Sequence, residues 1–158
     1  MVADPDAGRV YLCEDRLQRW ARAGTAVLVD GRLVSVEAEH DFADLAAAAL
    51  FCTLTCLELG LPPVRVRQRR GERQSHYQPA RGADPAEIAL ASWGAARLVV
   101  LHELAHHLAH HTPGGVEQPA HGPVFRAALV RLLRHVDLPR QAAELQRLFD
   151  QPDQEVTP

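Results

Sequence analysis

The sequence predicts an α+β fold, in which a small three-stranded sheet packs on a helix, with further helices around it and an N-terminal hairpin. Apolar residues recur at helical spacing in several segments. An Asp-Gly turn separates two short β-rich runs near the N-terminus, and three more β-rich runs follow one another in the middle of the chain. Together these three observations favour the α+β class.

Length and composition indicate one ordinary globular domain. The chain has 158 residues, of which 47% are hydrophobic and 23% charged, and a compact domain usually contains about 100–200 residues. We expect a disordered N-terminus over residues 1–8, a single domain over residues 9–150 and a polar tail over residues 151–158. The net charge of −3 argues against a chain that as a whole grips phosphate backbones.

Two features predict a cytoplasmic protein with no membrane partner. The longest uncharged stretch, residues 45–57, is shorter than the about 20 apolar residues that a bilayer-crossing helix needs. The N-terminus carries Asp4 and Asp6 where a secretory signal would carry positive charge before an apolar run.

The first half of the chain is predicted to form a helix, a hairpin and a second helix. Helical spacing predicts the first helix over residues 9–22. Residues 25–36 contain two β-rich runs around an Asp-Gly dipeptide, which accepts the positive φ angles of a two-residue turn. Asp41 is the expected cap of the second helix, which ends at Gly60 because two prolines follow. The leucines of this helix are predicted to be the hydrophobic backbone of the core: Leu45, Leu50, Leu54 and Leu57.

The second half is predicted to form the sheet and three helices. The three β-rich runs, separated by turn residues, are residues 64–68, 73–78 and 87–93. A helix is predicted over residues 95–111, followed by a loop rich in proline and glycine over residues 112–122. Two more helices are predicted over residues 123–135 and 139–150, each of which begins with proline.

The predicted helix over residues 95–111 carries the sequence His-Glu-Leu-Ala-His at positions 102–106. At about 100° per residue, His102 and His106 point within about 40° of each other and can bind one metal ion. Glu103 lies about 100° around the helix from His102 and can reach a metal-bound water without being a ligand. Zinc with imidazole ligands lowers the pKa of its water to about 7, and a carboxylate can take the proton as that water attacks a carbonyl. The spacing therefore predicts a zinc-dependent hydrolase.

A catalytic zinc site of this kind needs a third protein ligand. In one metalloprotease variant of this motif, a third histidine follows the second by six residues. That variant is absent here, because Thr112 stands six residues after His106. His121 is favoured, since a Gly-Pro pair follows it and proline determines how the next helix begins. Glu117, which lies in the loop without a helix to hold it, and His110, one more turn along the same helix, stay as alternatives.

Two segments resemble a known family. The pair VVLHELAHHL and HGPVFRAALVRLL, preceded by three β-rich runs, resembles the SprT-like zinc metallopeptidases, most closely their small bacterial metallohydrolases, over residues 64–136. The resemblance implies a zincin-like fold and a protein or peptide substrate, with His102, His106 and His121 as zinc ligands and Glu103 as general base. Eukaryotic relatives cut proteins crosslinked to DNA through appended DNA-binding segments, which are not expected in this sequence. A second zinc-peptidase family, linked to repressor cleavage, shares the His-Glu-Leu-x-His helix but not the His-Gly-Pro segment.

Two other function classes stay open: a zinc-binding pseudoenzyme that keeps its metal for stability, and a DNA-associated interaction module. The second would use the basic stretch at residues 65–73, in which alternate arginines line one face of a strand: Arg65, Arg67 and Arg69. A solvated sheet face or an anion-binding wall is the favoured interpretation, because aromatic side chains for base stacking are nearly absent. The oligomeric state is left open.

Several other residues carry predictions. Tyr77 and His76, on a strand near the site, could stabilise an oxyanion, although structural roles are favoured. His107 and His111 are expected to face solvent or to contact the metal ligands from outside. The strand over residues 88–93 is expected to be an exposed edge on which a peptide pairs, with a strand that is already paired as the alternative. Three cysteines are predicted to be buried free thiols, with a metal or redox role for the last two as the alternative: Cys13, Cys52 and Cys56.

Overall fold

The computed structural model describes residues 4–71, 74–92 and 95–152. Over these residues the fold is α+β, as predicted, with five α-helices, a two-stranded sheet and a three-stranded sheet. The elements are, in chain order, α1 (Ala7–Ala23), β1 (Val27–Val29), β2 (Arg32–Val34), α2 (Leu45–Glu58), β3 (Val64–Gln68), β4 (His76–Gln78), β5 (Ala86–Leu90), α3 (Arg97–His110), a short 3₁₀ helix (Gly115–Glu117), α4 (Pro123–His135) and α5 (Pro139–Asp150). They divide into two compact units, one formed by Met1–Glu39 with Glu117–Pro158 and the other by His40–Val116.

In the unit formed from the two ends of the sequence, three helices pack together. α5 packs on α1 and on α4, and α4 and α5 each have proline in the first turn, where a missing N–H costs nothing. The hairpin pairs β1 with β2 antiparallel. Its turn places Asp30 at φ 47° and Gly31 at φ 75°, the left-handed pair that a two-residue turn requires. The predicted hairpin and helices of this unit are confirmed.

In the unit His40–Val116, β5 is the central strand of the three-stranded sheet. β3 pairs with β5 in parallel, with Val64 opposite Ala86, and β4 pairs with the other side of β5 antiparallel. All five residues of β5 are buried. The predicted peptide-binding edge over residues 88–93 is therefore wrong, because β5 already has a partner on each side at residues 88–89. Trp93, at the end of that prediction, lies outside the described residues.

α3 packs against β4 and β5, and α2 packs on β3 and contacts α3. The side of α3 that carries the leucines is in the core, with Leu101, Leu104 and Leu108 all buried. This agrees with the helical spacing of the sequence, because residues three and four positions apart share one face. The remaining positions of the helix are free to carry polar groups.

The second helix differs from the prediction in the residue that caps it and in the side chains that it buries. Asp44, not Asp41, caps α2, since its carboxylate accepts the Ala47 N–H at 2.7 Å, while Asp41 forms a β-bridge with Ala96. Three leucines predicted to be core are exposed: Leu50, Leu54 and Leu57. α2 instead buries smaller side chains, namely Ala48, Cys52, Thr55 and Cys56. Small side chains allow close packing on that face, and the leucines are left on the outer face.

The three cysteines are free and buried, as predicted. Burial, with a smaller effect of Cys56, raises the pKa of the Cys52 thiol to about 12. A thiol that stays protonated is a poor nucleophile and a poor metal ligand. The pair on α2 therefore acts as apolar packing.

The N-terminal helix is slightly longer than predicted. α1 begins at Ala7, two residues before the predicted start. None of the helices in the described part of the chain has both the length and the apolar character that crossing a bilayer requires. The single domain over residues 9–150 stays a prediction, and residues 73 and 153–158 lie outside the described residues.

Candidate metal centre

α3 holds His102 and His106 on the same side, one turn apart, as the sequence predicts. Their Nε2 atoms are 3.2 Å apart, and the two rings lie 4.9 Å apart between centroids with 75° between their planes. Two imidazole nitrogens that each bind a tetrahedral zinc at about 2.0–2.1 Å are about 3.3 Å from one another. The separation of the two Nε2 atoms therefore fits a shared zinc ion.

Glu103 is buried on the same turn of α3 as His102, and both side chains are almost inaccessible to water, at 5% and 6% exposed. The leucines of α3 already provide the apolar face that the core needs, so helix packing alone does not require polar groups here. A buried charged group is paired, hydrogen-bonded or bound to a metal ion, so the buried Glu103 carboxylate requires such a partner.

His107 is fully buried, which corrects the expectation that it could face solvent. Its Nε2 is 2.8 Å from the Pro62 carbonyl oxygen, and its Nδ1 is 3.0 Å from the Tyr77 hydroxyl. A carbonyl oxygen only accepts, so Nε2 carries the proton and the Tyr77 hydroxyl donates to Nδ1. Burial lowers the pKa of His107, although the hydrogen bond to Pro62 opposes this shift. His111, by contrast, is exposed at the end of α3.

Tyr77 connects the sheet to α3. Its ring is nearly parallel to the His106 ring, with 8° between the planes and 6.3 Å between centroids. Burial, with a smaller contribution from Cys56, raises the pKa of Tyr77 to about 12, so the hydroxyl keeps its proton, and that proton is directed to His107. A hydroxyl that donates its proton to His107 cannot donate the same proton to an oxyanion. His76 is adjacent to Tyr77 in β4, where side chains alternate, so it belongs to the opposite face.

The outer face of the sheet carries the arginines of the predicted basic patch. Nε of Arg65 and Nε of Arg67 donate to the Glu87 carboxylate at 2.9 and 2.5 Å, while Arg69 donates to the backbone carbonyl of Gln74. Burial by itself raises the pKa of Glu87, but the hydrogen bonds from Arg67 and Arg65 outweigh it and lower that pKa. Two of the three alternating arginines therefore share one buried carboxylate, and the face is less basic than the sequence suggests.

In the other unit, His121 lies directly before α4, at the position the sequence predicts, and is buried. A Cβ on Gly122 would lie 3.1 Å from the Pro119 carbonyl oxygen, so glycine allows the close approach of the backbone here. Nδ1 of His121 is 2.5 Å from a carboxylate oxygen of Asp4. Asp4 lies in the segment over residues 1–8 that the sequence predicts to be disordered.

The two alternative third ligands occupy different surroundings. His110 is half-buried in the last turn of α3, and Glu117 is exposed in the short 3₁₀ helix. Sequence reasoning missed Asp4 and Pro62, because Asp4 lies 117 positions from His121 in the sequence and Pro62 lies 45 positions from His107. No spacing pattern in the sequence could have connected them. The ligand roles of His102, His106 and His121 and the base role of Glu103 stay predictions.

Comparison with known proteins identifies no relative, since no family model, no curated protein and no solved structure matches the chain. Membership of the SprT-like metallopeptidases therefore stays a prediction from the sequence motifs.

Proposed function

We infer that this protein is a zinc-dependent metallohydrolase, and specifically a metallopeptidase of the SprT-like type. The observation that carries this proposal is the 3.2 Å separation of the His102 and His106 Nε2 atoms on one helix, with the buried Glu103 between them in sequence. A helix used only for packing does not need two converging imidazoles and a buried carboxylate on the same turn.

The proposed ligands of the ion are His102, His106 and His121. Neutral imidazole nitrogen is a common zinc ligand, and three protein ligands leave a fourth position for water or substrate. When bound in such a site, zinc lowers the pKa of water to about 7 and polarises a carbonyl oxygen. The first property supplies a nucleophile at neutral pH, and the second makes an amide bond susceptible to attack.

Glu103 is the proposed general base. Its carboxylate accepts a proton from the water that attacks the substrate carbonyl and then gives a proton to the amine that leaves, so that the carboxylate is regenerated. The burial of Glu103 and His102 keeps bulk water from competing for this proton. A peptide is the proposed substrate because the two motifs resemble those of metallopeptidases.

The central experiment measures zinc content and hydrolysis of an unfolded protein substrate side by side for the wild type and Glu103→Gln. We expect about one zinc per chain in both, and a turnover about 10²–10⁴-fold lower in the variant, because an amide cannot accept the proton. Zinc without hydrolysis in the wild type would favour the zinc-binding pseudoenzyme. Loss of zinc from Glu103→Gln would make Glu103 a ligand or a structural residue.

A second pair of variants tests the third ligand. His121→Ala is expected to lose most of the zinc, because two imidazoles alone leave the ion under-coordinated. Glu117→Ala is the matched control and is expected to keep the zinc, since Glu117 is exposed. The opposite result, with zinc retained in His121→Ala and lost in Glu117→Ala, would transfer the ligand role to Glu117.

A further inference from the structure

Asp4 accepts two hydrogen bonds from one residue, His121. The ring Nδ1 of His121 is 2.5 Å from Oδ2 of Asp4, and the backbone N–H of His121 donates to Oδ1 at 3.4 Å. The His121 side chain is 8% exposed and that of Asp4 is 24% exposed, so the pair is largely shielded from water. Charge-assisted hydrogen bonds of this length are among the stronger ones in proteins.

This contact determines which nitrogen of the neutral His121 ring carries the proton. A carboxylate is an acceptor, so the nitrogen that faces it, Nδ1, carries the proton. In the neutral ring the lone pair is then on Nε2, the nitrogen that a metal ion can bind. Without the carboxylate, the ring could place its proton on Nε2 instead, and a protonated Nε2 cannot bind a metal ion.

The ring of His121 is also held in orientation by aromatic neighbours. Phe125, one turn along α4, lies 4.8 Å from it between centroids at 72°, and Tyr11 of α1 lies 5.1 Å away at 57°. Edge and tilted packing of this kind restricts rotation of the imidazole about its χ2 torsion. With the ring held in this orientation, Nδ1 is the nitrogen that faces the Asp4 carboxylate.

We propose that Asp4 is the positioning residue of the metal centre, which selects the Nδ1–H tautomer of His121 and so presents Nε2 as a ligand. This inference rests on the proposed zinc site. Histidines that bind metals commonly donate their other N–H to a carboxylate, and removal of such partners typically weakens metal binding about 10–100-fold. The competing interpretation is an ion pair that only fastens the start of α1 to the start of α4.

The first test compares zinc affinity, by competition with a chromogenic chelator, in the full-length wild type, Asp4→Asn and Asp4→Ala. We expect Asp4→Ala to bind zinc about 10–100-fold more weakly. Asp4→Asn is expected to fall between the two, because its amide oxygen still accepts the Nδ1 proton without the charge. Asp6→Ala removes a carboxylate from the same segment, whose contact with Arg126 is 3.9 Å long, and is expected to leave the affinity unchanged.

The second test reads the tautomer of His121 directly in the zinc-free protein, from the ¹⁵N chemical shifts of the ring. We expect Nδ1–H in the wild type and a shift toward Nε2–H in Asp4→Ala. A ring proton on Nε2 in the wild type, or a zinc affinity in Asp4→Ala equal to that of the wild type, would overturn the proposal in favour of a contact that only fastens the two segments. If the wild type binds no zinc at all, the proposed function fails, while the tautomer still shows whether Asp4 controls His121.

Discussion

α2 and α3 belong to the same compact unit and are equally long, at 14 residues each, yet α2 leaves large apolar side chains exposed while α3 buries polar ones. Glu58 is the one charged residue of α2, but three of its leucines are exposed by 59%, 47% and 75%: Leu50, Leu54 and Leu57. α3 contains an arginine, a glutamate and four histidines, and nevertheless most of it is buried. The more polar helix is thus the more buried one.

The difference follows from the number of neighbours around each helix. α3 packs against β4, β5 and α2, so that several of its sides are covered, including sides that carry polar groups. Polar groups covered in this way must find hydrogen-bond partners, as His107 does with Pro62 and Tyr77. α2 packs through one face, and its outer face stays exposed although it is apolar. Composition therefore indicates how much apolar surface a helix has, while its neighbours decide how much of it is buried.

The largest expected effect on the free energy of unfolding is the difference between truncating a buried leucine of α3 and truncating an exposed leucine of α2. Leu104→Ala is expected to lower the free energy of unfolding by about 2–5 kcal/mol, because it leaves a cavity in the core. Leu57→Ala changes the same side chain at an exposed position and is expected to cost about 0.5 kcal/mol or less. Urea unfolding of both variants at low protein concentration measures this difference.

Equal costs for the two variants would contradict the comparison. In that case the outer face of α2 would be covered in solution, and the unfolding midpoint of the wild type would rise with protein concentration.

A smaller effect is expected from the buried histidine of α3. His107→Leu fills similar space but leaves the Pro62 carbonyl and the Tyr77 hydroxyl without their partner, so we expect a loss of about 1–3 kcal/mol in the free energy of unfolding. His111→Leu, at the exposed end of the same helix, is the matched control, with an expected change of about 0.5 kcal/mol or less. Both variants are unfolded in urea with a chelator present, so that metal binding does not contribute. Equal values would show that the hydrogen bonds of His107 do not stabilise the fold.

The smallest expected effect concerns a buried polar residue of the same unit that lies outside both helices. The pKa of Glu87 is below its ordinary value of 4.5 in the folded protein, because the bonds from Arg67 and Arg65 outweigh burial. As pH falls below 4.5, the unfolded chain takes up this proton first, so the contribution of Glu87 to stability is full above pH 4.5 and is lost as pH falls through the folded pKa.

Glu87→Gln removes this titration. Its free energy of unfolding is expected to decrease less steeply with falling pH below 4.5 than that of the wild type, while it is lower by about 1 kcal/mol at neutral pH, since both arginines are partly exposed. Chemical unfolding across the pH range from 3 to 7 measures both features. Parallel curves for the two proteins would mean that the arginines do not hold the carboxylate in its charged form.

Much of the local structure and part of the candidate site could be predicted from sequence. The hairpin turn depends on Asp30 and Gly31 adopting positive φ, which is a property of those two residues. The juxtaposition of His102 and His106 depends only on helix geometry, because four residues advance by a little more than one turn. The expected burial of Leu50, Leu54 and Leu57 in α2 is wrong, since the same spacing is compatible with burial of the opposite face.

By itself, the sequence determined the features that depend on torsion angles and on neighbours within about one helical turn: where helices begin at prolines, where the hairpin turns, and which side chains of α3 share a side. The tertiary structure alone decided that β5 is a central strand, that α2 turns three of its leucines outward, and that Asp4 contacts His121. The physical reason is that steric and hydrogen-bonding preferences act over a few residues. The partners of a strand, a helix face or a carboxylate depend instead on which distant surfaces pack together, and no residue type specifies that choice.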